Sequence, residues 1–438
     1  MDFSLSSSLV GSATLNPDKL ALDLQFATDK TLTARKGPTP VFTRASTARF
    51  VGSDGLIQSA AINTPRFDHD PVTLACKGLL IEESRTNLCL QSNAFSTSPW
   101  ANINTVCDVS QNQTGPDGIA NSAWTFTDDN AVNSEGRYVT ASLTSGVAYS
   151  LSVFVKKTTG TPSTYPAIWL ARGGVFGGCV INTTAGTATA ITVFGAGTII
   201  STTSSVVDFG NFWRVTSFIT PTATGTWEIS ISPSGNGNGT GVMDGTTTGS
   251  AVFWGAQLEA GSFPTSYIPT TTASVVRSAD VCSITGSAFT SFYNQSEGTF
   301  QGNYSFVSGY SNANIAMILV QASNNTFNEI VRIGTPSGLS TQRLDTITGG
   351  SLTRITTLNN HSLTALNKVA GAYKAGSNAI SLNGGSVVTG SPAGITSLAS
   401  KLDIGVSHDG SSRINGYIQS LRYYKKRLPN AKLQSLTT

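Results

Sequence analysis

The sequence predicts an all-β, multi-domain protein, and three observations predict it. Short β-branched and aromatic runs recur along the 438 residues, divided by Gly, Asn, Pro and Ser, a punctuation that suits sandwiches and jelly rolls. Good helix formers are never concentrated over a dozen residues with a 3.6-residue period. Charged residues are only 12% of the chain, about half the usual share of a soluble protein, and Gly, Ser and Thr fill the difference. At roughly 100–200 residues per domain, the length allows two to four domains, and 39% apolar residues can build real cores.

The first segment, residues 1–87, reads as a small, mostly-β anchoring domain. Leu20, Leu22, Leu24 and Phe26 alternate with polar or small residues over Leu20–Asp29, so that run predicts a strand with one apolar face. Ser53-Asp54-Gly55 is a turn signal between two apolar pairs and predicts a hairpin. Pro65–Pro71 reads as an irregular loop pinned by two prolines, and Lys77–Leu88 as a short strand with a polar connector.

The second segment, residues 88–270, has the size of one jelly-roll β-sandwich. Tyr149–Thr158, Phe212–Pro221, Trp227–Gly235 and Val252–Gly261 all read as strands bounded by turns. The third, residues 271–438, repeats the style with different strands. Within it Ser381–Gly385 is a tight hairpin signal, because Asn and Gly accept positive φ, and Asn430–Leu436 reads as a closing helical turn capped by Asn430.

Composition excludes several function classes. The net charge is +3, and the densest basic cluster, Tyr423–Leu428, is too small for a nucleic-acid face. Five widely spaced cysteines (Cys76, Cys89, Cys107, Cys179 and Cys282) form no CxxC pair, so they read as buried free thiols and not as a zinc knuckle or disulfide framework. The first twenty residues lack the basic and apolar regions of a secretory signal, and no apolar run reaches the length of a membrane helix. The expectation is a protein made in a cytoplasm that leaves it, if at all, with an assembled particle.

Three stretches carry a family resemblance. Phe42–Leu88 contains the block RAST…G…PRFD-D…GLLIE…TNL at Arg44–Thr47, Gly55, Pro65–Asp68, Asp70, Gly78–Glu82 and Thr86–Leu88. It resembles a block found in tail and virion proteins of tailed bacteriophages. WGAQLEAGSFPTSYIPT, Trp254–Thr270, is similar to the ending of carbohydrate-binding-module-like jelly rolls in those proteins. Lys368–Gly385 and Lys401–Leu436 resemble the last strands of a concanavalin A-like, laminin-G-like β-sandwich. The resemblance implies a virion protein (a fibre, spike, baseplate or head-fibre component) that meets host-surface glycans. It implies other virion proteins as partners and no membrane insertion. The small charge content and the absence of a coiled coil add the expectation of a homo-oligomer, a trimer above all.

Catalytic chemistry finds little support. A glycosidase needs two carboxylates about 5–10 Å apart, and the acids of the third segment are scattered singly. No GxSxG elbow accompanies the three histidines. The sequence therefore predicts no catalytic residue; a tailspike-type glycan depolymerase and a ligand-free architectural protein remain the alternatives. A structural calcium would draw on Asn93, Gln257 and Glu259, where the opening and closing strands of the jelly roll meet, although Glu259 alone also suits a hydrogen-bonded anchor. Glycan contact would fall to Trp169 and Arg172 in the second segment, and to Tyr310, His408, Asp409 and Arg413 in loops of the third: rings stack on sugar C–H faces while polar groups read hydroxyls.

Overall fold

Two β-sandwiches account for nearly all regular structure in the computed structural model, which describes residues 20–160, 164–307, 317–324, 329–335, 338–392 and 399–438. The chain is all-β, as its punctuation predicts, with three short helices among the described residues.

The first sandwich packs a six-stranded sheet on a seven-stranded one. The former runs in the order 202–209, 212–219, 149–156, 249–260, 123–128, 108–113, and the latter 187–190, 175–182, 165–172, 225–236, 136–143, 101–103, with 198–199 beside 175–182. All pairings but that last are antiparallel. Inward alternation produces one core, in which Leu151, Val153, Ile168, Leu170, Trp227, Ile229 and Phe253 are buried.

The second sandwich draws on both ends of the chain. One sheet runs 388–390, 378–382, 367–374, 297–306, 416–424, 76–81, 67–69, and Leu20–Leu24 also pairs with 416–424. The facing sheet runs 41–43, 281–285, 401–404, 317–323, 329–335, 341–348, 351–360. Residues 20–87 therefore supply four strands to this sandwich, and they also form a separate hairpin, Ala48–Val51 with Ile57–Ala60, and one strand of a small sheet, Arg85–Asn87 with Val275–Arg277. The reason is apolar surface. Leu22, Leu24, Phe26, Leu79, Leu80 and Ile81 are too few to enclose a core, and they are buried in the same core as Phe300, Tyr304, Ile333 and Leu421.

Several local expectations hold. Ser53–Gly55 does turn the 48–60 hairpin. Asn383 and Gly384 both take positive φ (49° and 71°), the geometry of a tight primed turn. All five thiols are free, and all but Cys76 are buried. Others need correction. The Leu20–Asp29 run is a strand only to Leu24, followed by a short helix, Phe26–Asp29. Pro65–Pro71 is not wholly irregular, because Phe67–His69 pairs with Cys76–Ile81. The last helix, Asn430–Ser435, has Pro429 and not Asn430 at its N-cap: the carbonyl of Pro429 accepts the Lys432 and Leu433 amides.

Thiol reactivity checks the packing. In native protein a disulfide reagent should modify one thiol per chain, that of Cys76, slowly because burial raises its pKa. All five should react in denaturant.

Candidate functional site

Between the two sandwiches lies a cluster of buried ions made largely from the block at 42–88. Arg44, Arg66 and Arg277 are each 1% exposed or less, as are Glu82 and Asp280. Arg66 bridges both acids, at 2.8 Å to Glu82 and 2.5 Å to Asp280. Arg277 meets Glu82 at 3.0 Å and Arg44 meets Asp280 at 3.3 Å. Buried ions are better tolerated the more of their remaining hydrogen-bonding capacity is filled, and here most of it is, although Arg66 Nε and Arg277 Nε make no hydrogen bond among the described residues. Arg44 donates to the carbonyls of Ser46, Ala61 and Thr64, and Arg277 to that of Glu83. Burial pushes the Glu82 carboxyl up, but Arg277 and Arg66 outweigh it and hold the group at about 2. Burial likewise opposes the charge on Arg66, yet Asp280 and Glu82 raise its pKa above the usual guanidinium value.

The stretch 254–270 is fastened to this cluster. Ser266 donates its amide and hydroxyl to Glu82, at 2.8 and 2.7 Å. Glu259 accepts the Thr265 amide at 2.9 Å as well as its hydroxyl, and Gln257 accepts the Ile268 amide at 2.6 Å. Asn87 accepts the amides of Cys89 and Leu258 and donates to Ile268. Asn93, the third expected calcium ligand, accepts the Gly255 amide and donates to Ser122. The oxygens assigned to a cation thus already receive backbone donors, and Glu259 is an anchor for the loop that follows it. Among the described residues no three His, Cys, Asp or Glu side chains group as a metal site.

Above the cluster opens a cleft of roughly 570 Å³. Phe154, Phe209, Tyr267 and Phe306 line it, with Arg49, Asp68, Lys77, Glu82, Arg214, Tyr417 and Gln419 among its polar groups. Phe154 and Phe209 meet edge to face at 4.9 Å. The guanidinium of Arg214 lies 5.5 Å from the Phe154 ring centre and donates to the Thr265 carbonyl at 2.6 Å. Asp68 accepts the Val51 amide at 2.6 Å and the Tyr417 hydroxyl. Burial raises its pKa against the pull of that amide and of Lys77. Aromatic walls with a few fixed polar groups are the usual make-up of a small-ligand site.

The structure places the sequence-predicted glycan residues elsewhere. Trp169 is 2% exposed and packs against Phe194 at 5.5 Å, so it is not an open platform; alternation puts it on the sheet face opposite Ile168 and Leu170, in a separate apolar cluster with Ala167, Val180 and Ile191. Arg172 is exposed at a strand end. Tyr310 lies outside the described residues. His408, Asp409 and Arg413 share one loop that is bonded largely within itself. Asp409 accepts from Ser407 and Ser411, which hold it at about 2 against the effect of burial. Arg413 donates to Gly410, and His408 accepts from Gln321. None of them lines the cleft. Arg214 and Tyr417 were missed because 203 residues separate them; an arginine inside the apolar run Phe212–Ile219 was the available signal.

No protein-family model matches the chain, and no curated protein matches it. Solved structures do. A Ruminococcus gnavus IT-sialidase CBM40 is 13% identical, with a TM-score of 0.30, over 34% of this chain and 88% of that one. The LG1-3 region of the laminin α2 chain is 12% identical, with a TM-score of 0.25, over 69% and 67%. Mouse laminin α1 domains LG4-5 are 10% identical, with a TM-score of 0.25, over 71% and 92%. At these scores the architecture rests on the strand pairings of the chain itself.

Acid unfolding checks the cluster. Glu82 titrates at about 2 in the fold against 4.5 when unperturbed, so the unfolded chain binds its proton first on acidification. Its stabilisation is complete above pH 4.5 and is lost as pH falls toward 2. In urea titrations Glu82→Gln should flatten the pH dependence in that window. At pH 7, Asp280→Asn should cost about 3–5 kcal/mol, the usual penalty for breaking a buried ion pair.

Proposed function

We propose that this chain is a non-enzymatic structural protein of a bacteriophage particle, a fibre, spike or baseplate component that helps the particle adhere to host-surface glycans. The observation that carries the reading is what the phage-like block does in the fold. Arg66, Glu82 and Asn87 tie the enclosing sandwich to the end of the jelly roll through Ser266, Leu258 and Ile268, and Asp68 and Glu82 face the cleft. Gly78 belongs to the same block. Its φ is +103°, and a Cβ there would meet the Ile418 carbonyl oxygen at 2.2 Å, so only glycine fits. The block therefore reads as joinery, which suits a building part. The cleft supplies aromatic rings and hydrogen-bonding groups of the kind that hold a saccharide. We further propose a homo-oligomer, a trimer in a fibre or spike, housed in the virion with other virion proteins around it.

A depolymerase reading has one observation in its favour. Asp68 and Glu82 both line the cleft, and their environments push their pKa values apart, as in acid–base pairs. Against it, Glu82 is already occupied by two arginines and Ser266, which leaves no free oxygen to attack or to take a proton.

Two measurements test the proposal. Binding of host envelope polysaccharide should weaken at least tenfold in Phe209→Ala while the melting temperature holds, and unchanged binding would remove the cleft from the adhesion surface. Incubation with that polysaccharide should release no new reducing ends; their appearance, lost in Asp68→Asn, would establish the depolymerase instead.

A further inference from the structure

Strand register sets out a row across the outer face of the six-stranded sheet. Val207, Arg214, Phe154 and Trp254 stand opposite one another on four neighbouring strands. Three members are apolar, and the fourth is a guanidinium in the wall of the cleft. Buried arginines nearby each have an acid: Arg44 and Arg66 have Asp280, Arg277 has Glu82 and Arg85 has Glu83. Arg214 meets no carboxylate at ion-pair distance among the described residues. Burial lowers its pKa below the usual guanidinium value, and the attraction of Glu259 and Glu82 from farther off does not make up the difference. Those two acids are already engaged, Glu259 by Thr265, and Glu82 by two arginines and Ser266.

The hydrogen bonds of Arg214 are incomplete as well. Nη2 donates to the Thr265 carbonyl at 2.6 Å and to Ser152 Oγ at 3.3 Å. Nε is closed off with no acceptor among the described residues; Nη1 has no acceptor there either, but it is not closed off. A cation with open donors in an apolar wall is unfavourable by itself and calls for a partner. The remaining acids of the cleft do not supply one. Asp70 pairs with Lys77 at 3.5 Å, and Asp68 receives the Val51 amide and the Tyr417 hydroxyl while burial favours its neutral form. Arg49, half-buried, lines the same cleft, and its side chain has neither an ion pair nor a hydrogen bond among the described residues. Two guanidiniums therefore face the cleft unanswered, beside the half-buried ring of Phe209 and the half-buried amide of Gln419.

We infer that the saccharide taken by the cleft is an acidic one, and that Arg214 selects it. The inference rests on the reading of the cleft as a glycan site. The sugar's anionic group accepts a charge-assisted bond from Nη1 of Arg214, which a neutral hydroxyl matches only weakly. The pair forms in a partly buried wall, where salt screens it less than at an open surface. The sugar's C–H face lies on Phe209, and Arg49 and Gln419 take the flanking groups.

Calorimetric titration of the full chain tests this with three oligosaccharides of one backbone: a hexuronate form, its carboxyl-reduced form, and the reduced form after sulfation. Acetate serves as a free anion. At least one charged form should bind at least tenfold more tightly than the neutral form, and which one does so tells carboxylate from sulfate. Acetate should fall far short of it. Arg214→Gln should bring the charged form down to the level of the neutral one and shift the neutral one less than twofold, whereas general damage to the cleft would weaken both alike. The comparison of ligands on the unaltered chain stands whether or not that variant folds. Equal binding of charged and neutral forms, lost together in Phe209→Ala, would overturn the inference and leave the cleft a glycan site. Binding of none of the three would overturn both. A charge preference that survives in Arg214→Gln would overturn it too, as would acetate as strong as the charged oligosaccharide, since that marks only an anion site.

Discussion

The ion cluster around Arg66 is the constraint on which the rest of the molecule depends. Five charged groups from the first segment and from the start of the third are buried together, and none of them is tolerable alone. Their geometry fixes Ser266, hence the loop after the jelly roll, and with it the position of one sandwich against the other. Apolar residues could have filled the same volume and would have tolerated sliding. Charges held by directional bonds do not, so the cluster trades stability for a defined angle between the modules.

That angle also shapes the cleft. Its walls come from the first segment (Val51, Asp68, Lys77), the jelly roll (Phe154, Phe209, Arg214) and the C-terminal strands (Phe306, Tyr417), and no single unit owns it. A ligand in the cleft would therefore feel any shift between the sandwiches.

Much of the fold was legible in the sequence because it is local. Alternation marked the long strands, and Asn383-Gly384 and Ser53–Gly55 marked turns by their φ preferences. The partnership of distant strands was not legible, because Leu20–Leu24 and Gly416–Tyr424 carry no local sign that they pair. The site was legible only in outline. Glu259 could be read as an anchor since no second acid accompanies it. Trp169 could not be told from a surface ring, because a buried tryptophan and an exposed one look alike in a strand that ends at a hairpin. Arg66 and Glu82 stood out as part of a shared block, but their pairing with Asp280 spans about 200 residues.

The pairing of Leu20–Leu24 with Gly416–Tyr424 has a consequence for the order of events during synthesis. The jelly roll is an insertion between parts of the other sandwich, and all its strands lie within residues 101–260, so it can close while the ribosome is still translating. The enclosing sandwich cannot. Its strand Leu20–Leu24 must wait until residues 416–424 have emerged, so its apolar edge stays exposed the longest. A product truncated before residue 416 would contain a finished inner module and an unfinished outer one.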